Sequence, residues 1–364
     1  MNPDLVRLGF TPSFAGHFAA LALTEGAPSR LPARVITEHR GAYRVHDGTI
    51  ERWAVITGRL RHEAKSPLDM PAVGDWVVLD EMPDAEGRAV IQAILPRRTA
   101  FVRRAAGVDK KPQVVAANVD RVFLVASLNR DFSPRRLERY LALARESGAD
   151  PVILLSKADL VDPGPAIEEA SAVARGVPIH ASSSMTGEGV ELVRDYLKDN
   201  ATGVLLGSSG VGKSTLINRL LGEDRLATSP VRDEDDKGRH TTVRRELVVL
   251  PSGGVVIDTP GMREIGLWDT GAGLDEAFDD VAALAATCRF SDCRHEKEPG
   301  CAVQKAVAEG ALPAERVTSY KALQKEGERL EALSDNRSRA EIMRKNRVIA
   351  RAVRAHAQMH KKRS

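Results

Sequence analysis

Residues Gly207 to Thr215 read G-S-S-G-V-G-K-S-T, which is the full G-x4-G-K-[ST] pattern of a phosphate-binding loop. In such a loop the backbone N–H groups surround the β-phosphate, Lys213 neutralises β- and γ-phosphate charge, and Ser214 ligates Mg²⁺. The expected nucleotide contacts are Gly207, Ser208, Ser209, Gly210, Val211, Gly212, Lys213, Ser214 and Thr215. A chance glycine-rich turn is the alternative, but an apolar strand precedes the loop and a helical pattern follows it.

Two segments further along the chain contain groups for the γ-phosphate and the metal. D-T-P-G, Asp258 to Gly261, ends an apolar strand, so Asp258 could hold Mg²⁺ through water and the Gly261 N–H could contact the γ-phosphate. The polar run 233–243 before it predicts a mobile first switch. In that run Thr241 or Thr242 would cover Mg²⁺, and Thr241 is the assigned ligand.

The residue after D-T-P-G is Met262, where many GTPases have a glutamine that orients the attacking water. Methionine cannot do this, so intrinsic hydrolysis is expected to be slow. His240 is the candidate replacement because imidazole can orient or deprotonate water near neutral pH. An exposed loop histidine without a catalytic role is the equal alternative. The expected catalytic residues are Lys213, His240, Thr241, Thr242 and Gly261.

Two segments have the residues to read a base. S-K-A-D comprises Ser156, Lys157, Ala158 and Asp159, and the Asp159 carboxylate can accept hydrogen bonds from guanine N1 and N2. Lys157 can lie over the ring, whereas Ser156 is shorter than the usual Asn and loses one amide contact. In the loop 181–189, Ser183 and Ser184 would place a backbone N–H near guanine O6. Each segment alone would be an ordinary turn.

The order of these segments differs from that of an ordinary GTPase, in which the phosphate loop comes first. Here both base-reading segments precede the phosphate loop, so the sequence predicts a circularly permuted domain. From Asn118 strands alternate with helices, which indicates a mostly parallel sheet covered on both faces. The permutation moves D-T-P-G to the end of the domain, where nucleotide state could pass to the C-terminal part.

The spacing Cys288-x4-Cys293-x-His295-x5-Cys301 predicts a metal site. Three thiolates and one imidazole complete a tetrahedral set, which is typical of structural zinc and leaves no open position for catalysis. Three incidental cysteines are the alternative. An odd number of cysteines argues against a disulfide framework.

The remaining sequence divides into further segments. Five short strand-like runs in 33–104 suit a small closed barrel such as an OB-fold, although another small β-domain would fit the pattern as well. The predicted fold is therefore multidomain: a β-barrel, a permuted P-loop α/β GTPase domain and a helical zinc-binding module. The predicted segments are an extension at 1–32, the barrel at 33–104, the GTPase domain at 105–272, the zinc module at 273–335 and a basic tail at 336–364.

Composition is that of ordinary globular protein, with 43% hydrophobic and 28% charged residues in 364. The segment from Arg337 to Ser364 contains ten Lys/Arg and one acidic residue, so its net charge is +9. The net charge of the whole chain is +3, so the other residues carry −6. Such a tail favours a polyanionic partner, although a solvated helix face is a comparable explanation. No signal-like start and no long apolar run occur, so a cytoplasmic location without membrane contact is expected. Nothing requires more than a monomer.

With these residues the chain resembles the small ribosomal subunit biogenesis GTPase family (RsgA-type). The resemblance extends from Ala33 to Leu330 and depends on the permuted order, on G-R-H-T-T at Gly238–Thr242 and on the cysteine spacing. It implies GTP hydrolysis to GDP stimulated by the 30S subunit late in its maturation, with Mg²⁺ beside GTP and one structural Zn²⁺. It also implies that the OB-fold and the zinc module contact 16S rRNA. Ser156 and the long basic tail depart from the family pattern.

Aromatic side chains of the barrel could stack on RNA bases, and the candidates are Tyr43, Trp53 and Trp76, most of them expected in the core. Two other functions remain open. One is an ATP-using enzyme with a permuted P-loop core, which Asp159→Asn would test. The other is an RNA-binding scaffold in which GTP only locks a conformation, which phosphate release stimulated by 30S would exclude.

Overall fold

The computed structural model describes residues 2–22, 30–39, 41–80, 87–104, 112–128, 132–208, 210–224, 245–258 and 272–328. The predicted first switch, most of D-T-P-G and the basic tail lie outside these residues. Within them, no helix is long and apolar enough to cross a bilayer.

The predicted small barrel is present. Its strands are β1 (Arg30–His39), β2 (Ala42–His46), β3 (Glu51–Ile56), β4 (Trp76–Asp80) and β5 (Ala89–Ile94). They join in the order β1-β2-β3-β5-β4, and β4 pairs back to β1 to close the barrel. β3 and β5 are parallel, while the other barrel pairs are antiparallel. Alternate residues such as Val45 and Ile91 point inward and are fully buried. A short helix, α3 (Gly58–Glu63), follows β3.

The N-terminal segment, predicted only as an extension, contains two helices, α1 (Pro3–Arg7) and α2 (Pro12–Ala22). Phe10 and Phe14 pack on the buried Trp76, and their ring centroids lie 4.6 Å and 6.0 Å from the centroid of the Trp76 ring. The first helix is too short to show a helical period, which explains why the sequence pattern missed it. These helices cover one side of the barrel.

Arg34 of β1 joins the barrel to the second domain. Its guanidinium is buried and donates to the carbonyls of Leu8, Gly74 and Asn118 and to Thr202 Oγ1, the last at 2.9 Å. Burial lowers the pKa of Arg34 to about 10. Gly74 lies directly against Ala117 of the second domain, since a Cβ there would be 2.2 Å from Ala117 O. β1 also pairs with a strand of the second domain at Thr37↔Glu246, so the two domains share one sheet.

The second domain has the predicted α/β architecture. After a hairpin of β6 (Ala100–Arg104) and β7 (Pro112–Ala117), the strands are β8 (Arg121–Ser127), β9 (Asp150–Ser156), β10 (Ile179–Ser182), β11 (Thr202–Leu206), β12 (Glu246–Val249) and β13 (Val255–Asp258). Their order is β10-β9-β8-β11-β13-β12. The pairs from β10 to β13 are parallel, and β12 is antiparallel to β13. The helices are α4 (Pro134–Ser147), α5 (Gly164–Ala174), α6 (Val190–Tyr196) and α7 (Lys213–Leu221).

Both faces of this sheet are apolar, as a mostly parallel sheet requires. Neighbouring residues of one strand belong to different core clusters; Leu124 packs on one face of the sheet and Phe123 on the other. The strands therefore cannot shift register without exposing part of a core.

The C-terminal part is helical and packs on α4. It comprises α8 (Ala272–Ala277), α9 (Asp279–Ala285), α10 (Ala302–Ala308) and a helix α11 at 314–328. Gly273 lies against α4 so closely that a Cβ there would be 2.6 Å from the backbone nitrogen of Glu146. Hereafter residues 272–328 are called the C-terminal module.

Candidate active site and metal cluster

The predicted phosphate loop connects β11 to α7 at the centre of the sheet. Gly207 lies against β8, because a Cβ there would be 2.4 Å from Val125 O. Gly212 precedes the helix and has a φ of +99°, a backbone conformation that residues with a side chain rarely adopt. Helix α7 therefore directs its free N–H groups at the loop, as phosphate binding requires.

Lys213 lies across this loop. Its Nζ donates to the carbonyl oxygens of Gly207 at 2.8 Å and Ser208 at 2.6 Å. Ser214 and Thr215 follow in the first turn of α7 and are partly buried. A bound phosphate would offer Lys213 a charged acceptor in place of these neutral carbonyls. Ser209 lies outside the described residues.

Asp258 ends β13, whose neighbour β11 leads into the phosphate loop. Burial raises the pKa of Asp258, the Lys213 ammonium opposes this rise, and Glu246 opposite it on β12 adds to it. A partly buried carboxylate beside a second carboxylate favours a bound cation, which fits the predicted magnesium role. The other predicted groups here, His240, Thr241, Thr242 and Gly261, lie outside the described residues.

The two loops predicted to read the base meet because β9 and β10 are parallel neighbours, with Ser156 opposite Ser182. Ser183 Oγ donates to Asp159 Oδ1 at 2.5 Å, and the Ala158 N–H donates to Ser182 O at 3.1 Å. Asp159 is exposed, and Lys157 has a positive φ of 64°. The Asp159 carboxylate is therefore oriented at the mouth of the two loops, where a base could reach it.

Ser183 organises the second loop. Its Oγ accepts from the N–H groups of Met185 and Thr186, both at 3.2 Å, and its own N–H donates to Glu188 O at 2.9 Å. Because that N–H is already used within the loop, Ser184 is the better candidate for guanine O6.

Ser156, which the sequence predicts as a base contact, has a bond to the phosphate loop. It is buried, and its Oγ donates to Val211 O at 2.7 Å. The Ser156 hydroxyl therefore holds the phosphate loop against the end of β9, the strand that leads to Asp159. This support depends on the short serine side chain, and sequence reasoning did not find it.

We expect Ser156→Ala to raise the Kd for GDP about tenfold, which equals about 1.4 kcal/mol. The variant leaves Val211 O buried without this donor, a loss that typically costs about 1–3 kcal/mol. Titration with a fluorescent GDP would measure the change. Ser171→Ala removes a similar hydroxyl-to-carbonyl bond from exposed α5 and is the matched control. Equal Kd values for Ser156→Ala and the wild type would contradict the proposed support.

Two arginines that sequence reasoning missed contact the nucleotide loops. Arg219 of α7 donates to the carbonyls of Ser184 at 2.8 Å and Met185 at 2.9 Å, and so fastens the second base loop to the phosphate-loop helix. Arg136 of α4 donates to Ser208 Oγ at 2.9 Å. Nothing in the spacing of either residue indicates these contacts, which depend on how the helices pack.

The four predicted metal ligands come together in the C-terminal module. The ligand atoms of Cys288, Cys293, His295 and Cys301 all lie within 4.8 Å of one another. Cys288 Sγ is 3.9 Å from Cys301 Sγ, and His295 Nδ1 is 3.6 and 3.5 Å from these two sulfurs. Zinc–sulfur bonds of about 2.3 Å in a tetrahedron place sulfurs about 3.8 Å apart, so the cluster fits Zn²⁺.

The backbone around this cluster is held by Glu298. Its carboxylate accepts from the N–H groups of Glu296 at 2.7 Å, Arg294 at 3.0 Å and Lys297 at 3.0 Å, and these bonds lower the pKa of Glu298 to about 2. His295 O accepts from Gln304 Nε2 at 2.7 Å. The loop is therefore shaped by its own hydrogen bonds to present His295 to the cysteines.

The three barrel aromatics separate into two groups. Tyr43 and Trp76 are buried, as expected for most of them, and Trp53 is 45% exposed. Arg44 lies directly opposite Trp53 on β2. Of the three, Trp53 is the one that a nucleic-acid base could reach.

A family model and two relatives match this chain over most of its length or over its second domain. A family model described as RsgA GTPase matches residues 94–268. A protein of Opitutus terrae named small ribosomal subunit biogenesis GTPase RsgA is 49% identical over 88% of this chain and 89% of its own length. A Streptomyces coelicolor protein of the same name is 44% identical over 93% and 90%.

Solved structures agree with this match. The crystal structure of YjeQ from Thermotoga maritima is 28% identical, covers 82% of this chain and 99% of its own, and superposes with a TM-score of 0.61. YloQ, described as a circularly permuted GTPase, is 25% identical over 85% and 99%, with a TM-score of 0.58.

Proposed function

Since the chain belongs to the RsgA GTPase family and is a GTP hydrolase, we propose that it acts in the biogenesis of the small ribosomal subunit. We place this action late in maturation, in the cytoplasm, with the chain as a monomer. The observation that carries the nucleotide site is that three loops are bonded to one another: Asp159 to Ser183, and Ser156 to Val211 of the phosphate loop. The relatives named above are described as small-subunit biogenesis factors.

In the proposed site each group has one role in binding GTP. The N–H groups of the phosphate loop and the first turn of α7 bind the β-phosphate, and Lys213 moves from the Gly207 and Ser208 carbonyls to the β- and γ-phosphates. Asp159 accepts from guanine N1 and N2, and Ser184 donates to O6. Lys157 lies over the ring.

Mg²⁺ would be held by Ser214 and Asp258, with Thr241 from the first switch, and when bound it neutralises phosphate charge. Gly261 would donate its N–H to the γ-phosphate, and Thr242 would stand beside the metal site. We propose that His240 orients the attacking water, because Met262 has no group that could do so.

We propose that the 30S subunit completes this arrangement and thereby stimulates hydrolysis. Contacts to 16S rRNA would come from Trp53 on the barrel, from the C-terminal module with its Zn²⁺, and from the basic tail. Nucleotide state would then pass from the switch at Asp258–Gly261 to the C-terminal module.

Phosphate release from GTP, with and without purified 30S subunits, tests the proposal. We expect a large stimulation by 30S and none when ATP replaces GTP. Equal use of ATP would favour the ATP-using alternative, and GTP binding without stimulated release would favour the scaffold. Deletion of 337–364 should lower 30S affinity and reduce its salt dependence. An unchanged salt slope would contradict the role of the tail.

A further inference from the structure

Arg136, in the first turn of α4, fixes the phosphate loop from outside the nucleotide site. Its Nη1 donates to Ser208 Oγ at 2.9 Å, while the Ser208 carbonyl accepts from Lys213 Nζ at 2.6 Å. Ser208 is therefore held through its side chain by α4 and through its backbone by the phosphate-binding lysine. A displacement of α4 would change the position from which Lys213 meets the phosphates.

The same turn of α4 is bonded to the C-terminal module through Glu138. This carboxylate is buried and accepts from Arg316 Nη1 of α11 at 3.0 Å. Arg316 also donates to both carboxylate oxygens of Asp280 on α9, at 2.6 and 2.9 Å, and lies 4.6 Å from the centre of the Phe278 ring. Removal of one member of such a buried charged group leaves the others without compensation.

Arg136 and Glu138 face opposite sides of the helix. They are two residues apart, and each residue of an α-helix turns by about 100°, so their side chains diverge by about 200°. Helix α4 thus lies between the phosphate loop and the module. A second ion pair, Arg139 with Glu326 at 2.6 Å, adds to the attachment of α11. A movement of the first turn must displace contacts on both sides.

We propose that α4 couples the phosphate loop to the C-terminal module, with Arg136 as a positioning residue for the loop and the Glu138–Arg316 pair as its connection to the module. Nucleotide binding then tightens the docking of α11, and docking of the module increases nucleotide affinity by the same factor. The inference rests on the proposed nucleotide site but requires neither the ribosome nor hydrolysis.

Hydrogen exchange of the full-length, zinc-loaded protein tests the first direction. We expect saturating GDP with Mg²⁺ to slow exchange in 314–328 severalfold in the wild type. The slowing should disappear in Arg136→Gln at saturating GDP and return in part in Arg136→Lys. It should persist in the control Arg135→Gln, because the Arg135 side chain is exposed in the same turn of α4. Ser208→Ala removes the same bond with a smaller change and should behave as Arg136→Gln does. No slowing in the wild type, or slowing that survives both Arg136→Gln and Ser208→Ala, would overturn the proposal.

The reverse direction is tested by nucleotide affinity. We expect Glu138→Gln to raise the Kd for GDP about fivefold, because the substitution weakens the ion pair that connects α4 to the module. In the Arg136→Gln background the same substitution should have little further effect, because the path is already broken. Glu169→Gln on exposed α5 is the control and should leave Kd unchanged. An unchanged Kd in Glu138→Gln, or full additivity of the two substitutions, would refute the coupling. Neither assay contains ribosomes, so failure of 30S stimulation would leave these results interpretable.

Discussion

Asp159→Asn is expected to weaken GDP and GTP binding more than a hundredfold, corresponding to about 3 kcal/mol. In the proposed site the carboxylate would accept two charge-assisted hydrogen bonds from guanine, each typically contributing about 1.5–3 kcal/mol. The asparagine amide turns one acceptor into a donor that faces the guanine N2 amino group. Xanthine has a carbonyl at that position, so the variant should gain affinity for xanthosine nucleotides.

Competition titrations with GDP, XDP and ADP would measure this change of preference. The Ser183 hydroxyl can still donate to the asparagine carbonyl, so the loop should keep its shape. Asp162→Asn removes a carboxylate from the same exposed turn and should leave GDP affinity nearly unchanged. An Asp159→Asn protein that binds GDP as tightly as the wild type, or a wild type that binds ADP equally well, would refute guanine recognition by this residue.

Cys301→Ser is expected to abolish stoichiometric zinc binding and to unfold the loop 288–301. Structural zinc sites contribute about 10–16 kcal/mol of apparent binding free energy to folding, far more than the few hydrogen bonds of this loop. Cys301 is buried, and its sulfur also accepts from the Gln304 N–H at the start of α10. Loss of the metal should therefore expose α10 as well as the loop.

Zinc content by atomic absorption and limited proteolysis of 272–328 would report the two effects. Asp292→Asn changes an exposed residue that is not a ligand in the same loop and should keep one zinc per chain. GDP should still bind to Cys301→Ser, because the phosphate loop lies between β11 and α7 of the second domain. The Kd should rise by no more than severalfold, since the docked module is proposed to increase nucleotide affinity. Full zinc content in Cys301→Ser would show that the cluster is not the metal site.

Much of this organisation is local and was therefore visible in the sequence. The phosphate loop is one continuous segment, and its Gly212 is required by the positive φ of the loop's own backbone. The barrel strands were predicted from five short strand-like runs, and the permuted order follows from the order of motifs alone. The four candidate zinc ligands lie within a short loop, so their spacing was sufficient to predict that they form one site.

Contacts between distant segments were not predictable in this way. The helices α1 and α2 are stabilised by the packing of Phe10 and Phe14 on Trp76, which is distant in the sequence. Arg34 unites the barrel with the second domain only after β1 pairs with both. Ser156 was predicted to contact the base, but its hydroxyl reaches the Val211 carbonyl behind the loop.

The sequence by itself determined the chemical groups, the order in which they occur and the local turns that present them, since each depends on residues close together in the chain. The tertiary structure decided which helix is bonded to which other segment. Arg219 donates to the carbonyl of Ser184, Arg136 donates to Ser208, and Glu138 accepts from Arg316. The physical reason is that a hydrogen bond between packed helices depends on their relative position and rotation, to which residues throughout the core contribute.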